Sequence, residues 1–233
     1  MASNSKGMAS AGAVTVCKRR RDLFEIAVAY GLILLVAWTP PPWKFWFWGG
    51  TAITIASIIF FSFDGVDAAG LRRKGFKQSL WVAGMAGFAA LGAILLASHL
   101  STLHLPQNIR WFWINCCGYA IWSFVQQFLL QAYFLSRLAR LIEERFAAAL
   151  FASILFASVH LPSPLLAPVT LLWGLAACLL FFRYRNLYTL AMAHAILGIT
   201  LAITVPSGVS HHMRVGLGYL TYTAHQHPRS LQP

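Results

Sequence analysis

Seven apolar runs alternate with short polar segments along the chain, over residues 23–39, 45–62, 80–98, 111–134, 147–160, 165–182 and 187–205. A helix crossing the hydrocarbon core of a bilayer needs roughly 17 to 25 residues, and all but the fifth run reach that length. The pattern predicts an all-α fold, a polytopic transmembrane helical bundle of about seven spans forming one domain over 23–205. Pro162, Pro164 and Pro168 punctuate the turn after the short fifth run, which predicts a tight or partly re-entrant hairpin there. Segment 63–79 is polar and basic and reads as a loop or interfacial helix against acidic headgroups. The aromatic cluster Trp43, Phe45, Trp46, Phe47 and Trp48 falls at the opposite membrane edge.

Composition agrees. A mean hydropathy of +0.64 with only 10% charged residues lies outside the soluble class. A net charge of +12 raises nucleic acid as a partner, but the basic residues sit in short blocks between apolar runs, as in cytoplasmic membrane loops. With the N-terminus in the cytoplasm, 14 of the 18 Lys and Arg face inward and only Lys44, Arg110, Arg214 and Arg229 face out. A multi-pass protein of the cell membrane with its C-terminus on the opposite side follows, with no nucleic-acid partner.

Residues 1–22 are small, polar and then basic, and are expected to be disordered. No small-x-small cleavage site follows Leu35, so the first run reads as a retained signal anchor. Residues 206–233 form a tail rich in Gly, Tyr and His. Cys17, Cys116, Cys117 and Cys178 make no CxxC pair, which argues against a zinc–thiolate site or a disulfide framework.

The chemistry lies in polar residues within apolar helices. Gln126, Gln127 and Gln131 share one run, and His160 and His194 lie on two later ones. Helix rise puts Gln126 about 13 Å, His194 about 11 Å and His160 about 20 Å from the cytoplasmic ends, all near mid-bilayer. Each has a bland reading as well. Gln127 and Gln131 are four apart and suited to bonding one another, and a buried His often serves a backbone carbonyl. Glu143, Glu144 and Arg145 read as a solvated turn. His211, His212, His225 and His227 lack ordered spacing, and no metal site is expected from them.

The runs FVQQFLLQAYF at 124–134, FASVHLPSP at 156–164 and RYRNLYTLAMAH at 183–194, followed by Leu197-Gly198, carry a resemblance. Over about residues 80–205 the chain resembles the CAAX protease and bacteriocin-processing family of glutamic-type intramembrane endopeptidases. That family has motifs EExxxR, FxxxH and His-x-x-x-Asn. The resemblance implies that Gln126 stands at the catalytic Glu, Gln127 at the second Glu and Gln131 at the Arg. His160 then stands at the water-activating His, His194 at the oxyanion His and Gly198 at the Asn. An amide takes no proton at neutral pH, so Gln126 is no general base, and Gly198 has no side chain to donate. Replacing Glu and Arg together removes both halves of an i,i+4 ion pair and strands neither charge.

The leading expectation is an intramembrane endopeptidase without cofactor. His160 would activate water, Gln126 orient it and His194 polarise the scissile carbonyl of a membrane-associated or lipidated peptide. The alternative is an inactive relative that binds a hydrophobic or lipidated peptide or a membrane partner. A bis-His haem protein and a transporter are remoter readings.

Overall fold

The computed structural model describes residues 3–106 and 108–222. It is built of helices, with no strand among the described residues. They are α1 (Ser3–Trp38), α2 (Lys44–Phe61), α3 (Phe76–His99), α4 (Ile109–Gln127), a π-helical stretch (Phe128–Leu135) running into α5 (Ser136–Leu141), α6 (Arg145–Ser158), α7 (Leu166–Tyr184) and α8 (Leu187–Thr204). All seven apolar runs therefore emerge as helical segments. By length and composition four of them, α2, α3, α7 and α8, are long and apolar enough to cross a membrane; α6 is apolar but short.

Small residues set the helix packing. Ala148, Ala149, Ala152 and Ala177 are fully buried where α6 meets α7, and Gly174 abuts Ser153 and Phe156. Small side chains bring backbones close, which favours helix association in a solvent as apolar as the helices themselves. The α3–α8 contact is tied by the buried Ser79–Thr189 hydroxyl pair at 2.8 Å. Helix α8 also packs on α4, and His194 and Gly198 lie buried in it.

Helix starts are capped as their sequences dictate. Asn108 accepts from the Arg110 and Trp111 amides at the head of α4. Glu144 accepts from the amides of Phe146 and Ala147, so this residue of the expected solvated turn is the N-cap of α6. Asn186 accepts from the Thr189 amide and donates to the Arg72 and Lys74 carbonyls, pinning segment 63–79 beneath α8. That segment is a series of turns up to Gly75, after which α3 begins at Phe76. Gly75 needs its positive φ of 78° and its lack of a Cβ there, because any Cβ would strike the Tyr184 carbonyl oxygen.

Helix α1 runs from Ser3 to Trp38, through residue 22. Asp22 accepts from Arg140 at 2.8 Å, and Glu25 pairs with Arg137 at 2.7 Å. Arg140 also reaches Asp64 at 2.7 Å, and hydrogen bonding to Asp22 raises its pKa above the ordinary arginine value. Arg137 is 2% exposed and lies over the Tyr133 ring at 3.7 Å. These pairs clamp α1 to the basic end of the core.

Candidate active site

The π-helical stretch begins one residue after Gln127. A π turn takes more residues per revolution than an α turn, which shifts the register of the side chains that follow it. Leu130, Gln131, Tyr133, Phe134 and Leu135 are all buried in this stretch. Gln127 and Gln131 are both fully buried, and Gln131 Nε2 donates to Gln127 Oε1 at 3.2 Å. Gln127 Nε2 in turn donates to His194 Nδ1 at 3.0 Å. Of the two, only Gln131 Oε1 is left without a partner, with Cys178 beside that amide.

The direction of these bonds sets the His194 tautomer. An Nδ1 that accepts from an amide carries no proton, so the ring proton sits on Nε2. His160 is held in the opposite sense. Its Nδ1 lies 2.8 Å from the Phe156 carbonyl oxygen, and a carbonyl only accepts, so Nδ1 is protonated and Nε2 keeps its lone pair. Phe156 stands between the two imidazoles, edge-on to both, with ring centroids 4.9 Å from His160 and 5.9 Å from His194.

Both imidazoles and Gln126 line one cavity of about 190 Å³ between α4, α7 and α8. Trp122, Trp173 and Thr170 form much of its wall; the Thr170 hydroxyl is spent on the Leu166 carbonyl at 2.7 Å. Gln126 has no hydrogen-bond partner among the described residues. It also lines a second cavity of about 110 Å³ that runs towards α1 between Tyr30, Ile33, Leu129, Phe134 and Leu155. The two cavities share Trp122, Gln126, Val159 and His160 in their walls, so they adjoin at a polar waist. No carboxylate lines either cavity.

Gln126, His160 and His194 thus face common space, and Gln127 and Gln131 stand behind His194. Gly198 borders the same cavity and is filled from across the helix pair: a Cβ there would meet the Tyr119 hydroxyl and ring. Sequence reasoning passed over Tyr119. A signal existed, because Tyr119, Ser123, Gln127 and Gln131 recur every fourth residue on one helical face.

It also gave the tail no physical role. After α8 the chain turns through α9 (Ser207–Ser210) and α10 (Leu217–Leu220) and lays Met213 and Val215 against the cavity. The Gly216 amide donates to the Leu161 carbonyl at 2.8 Å, and a Cβ on this glycine, at φ 56°, would strike the Ala37 carbonyl oxygen. His211 stacks on Tyr219 at 4.0 Å between ring centroids. No cluster of three metal-ligating side chains occurs among the described residues. His225 and His227 lie outside them.

Fold and site together define a helical membrane protein with a histidine–carboxamide cluster around an internal cavity. Residues 108–200 match the family model of type II CAAX prenyl endopeptidases, Rce1-like, a protease family. The match runs from the head of α4 into α8, includes every residue of the cluster, and supports the resemblance carried by the three motifs. No curated protein and no solved structure matches the chain.

Proposed function

We propose that this protein is an intramembrane endopeptidase that cleaves a membrane-associated or lipidated peptide with histidine-based machinery. The observation that carries the reading is the opposed polarity of the two imidazoles on one cavity: a lone pair on His160 Nε2 and a proton on His194 Nε2. In the reaction, a water oriented by the Gln126 amide attacks the scissile carbonyl carbon as His160 Nε2 takes its proton. The His194 Nε2–H hydrogen-bonds the carbonyl oxygen as negative charge develops on it. Collapse breaks the C–N bond, and His160 returns the proton to the departing amine, leaving a carboxylic acid and an amine. The cavity towards Tyr30 and Leu155 is almost wholly apolar, which suits a lipid chain or an apolar peptide end.

The charge distribution supports a cell-membrane location with seven crossings, the N-terminus in the cytoplasm and the C-terminus outside. The test is turnover of a prenylated fluorogenic peptide by purified protein in nanodiscs, compared with His160→Ala. Turnover that His160→Ala leaves unchanged would overturn the mechanism.

One observation favours a second reading, an inactive relative that binds such a peptide: the cavity has no carboxylate, and Gln126 stands where a base would be needed. Gln126→Glu separates the two. Activity that appears only in this variant makes the natural protein a binder, whereas loss of an existing activity favours the peptidase.

A further inference from the structure

We propose that Tyr119 supplies a second hydrogen bond to the substrate carbonyl oxygen, alongside His194. The inference rests on the peptidase reading and names a residue that reading does not use. Tyr119 reaches from α4 across to α8, where its hydroxyl occupies the space over Gly198 that any other residue's Cβ would fill. Gly198 lies one turn beyond His194 on the same helix, and the Tyr119 ring stands edge-on to the His194 ring at 6.4 Å between centroids. Phenol and imidazole therefore border the same cavity from neighbouring positions.

Chemistry favours this residue over the other polar groups of the wall. The Thr170 hydroxyl is committed to a backbone carbonyl, and Gln126 lies at the waist shared with the second cavity, beside His160. The Trp173 Nε1 is unpartnered but shielded from the cavity. Ser123, one turn from Tyr119, is fully buried with its hydroxyl beside the Tyr119 phenol, so the polar neighbour of that phenol comes from its own helix face. A tetrahedral oxyanion is best held by two donors, and a phenol held in place by packing donates without reorganisation.

The test compares wild type, Tyr119→Phe, Gly198→Ala and the double variant on the prenylated fluorogenic peptide in nanodiscs, with His160→Ala as the control. Tyr119→Phe keeps the ring and loses only the hydroxyl. The expected result is a kcat on the order of 100-fold lower with KM unchanged. Gly198→Ala pushes the phenol aside and is expected to lower kcat similarly, and the double variant to be no worse than either single one. Turnover that depends on His160 but survives Tyr119→Phe within twofold overturns this proposal alone. Absence of any His160-dependent turnover in the wild type overturns the peptidase reading, and this proposal with it. A KM rise without loss of kcat makes Tyr119 a wall of the cavity and also overturns the proposal.

Discussion

Gln127 donates to His194 Nδ1 at 3.0 Å while accepting from Gln131, so a neutral carboxamide orients the imidazole without any buried charge. A carboxylate at the same place would accept from Nδ1–H instead, and would move the ring proton away from the cavity. The choice of amide over acid therefore fixes which nitrogen of His194 carries the ring proton.

Gln127→Glu is expected to reverse that tautomer and to leave a fully buried carboxylate with no cation beside it. Destabilisation of about 3–5 kcal/mol is anticipated, as when a buried ion pair loses one partner. Adding Gln131→Arg supplies the cation and is expected to recover much of the loss. Equilibrium unfolding of both variants in mixed micelles checks this. Equal stability of the single and double variants would count against a paired arrangement.

Arg137→Ala removes the closer and more buried partner of Glu25, which keeps only Arg21 at 3.4 Å, together with a hydrogen bond to the Ser62 hydroxyl and the stacking on Tyr133. A cost of about 3 kcal/mol or more is expected. The exposed Arg72–Asp67 pair, at a similar 2.7 Å, serves as the comparison, and Arg72→Ala should cost less than about 1 kcal/mol. The same unfolding measurement ranks the two.

Gly75→Ala meets a backbone carbonyl rather than a movable side chain, at a positive φ that L residues avoid. A loss of at least about 1 kcal/mol is expected, with the damage at the α7–α8 connection where Tyr184 lies. Hydrogen exchange at residues 184–190 should rise; unchanged protection there would refute the contact.

Leu155→Trp adds bulk to the apolar cavity next to Tyr30, which His194 does not line. On the peptidase reading, KM for a prenylated peptide rises while a short unlipidated peptide is turned over as before. An equal effect on both substrates would show that this cavity does not hold the lipid.

The helical class, the positions of the seven helical segments and the polar residues at stake were legible in the sequence because each rests on local information. Hydropathy runs report burial in an apolar environment, and Gln131 is four residues from Gln127, which is a contact within one helix. Asp22 and Glu25 were not legible in this way. Their partners Arg140 and Arg137 lie more than a hundred residues on, and nothing local to α1 marks the pairing. The tail failed for the same reason, since Gly216 bonds to the Leu161 carbonyl and packs against Ala37, both far away in sequence.

Alone, the sequence determined that this chain is a helical membrane protein whose apolar segments carry two histidines and three glutamines, because composition and periodicity are enough to fix burial and helix faces. Only the tertiary structure decided that Gln126, His160 and His194 border one cavity, which imidazole nitrogen faces it, and that Tyr119 fills the space over Gly198. Those are matters of how helices pack and how hydrogen bonds run between them, and a helix's own residues do not specify the neighbour it will meet.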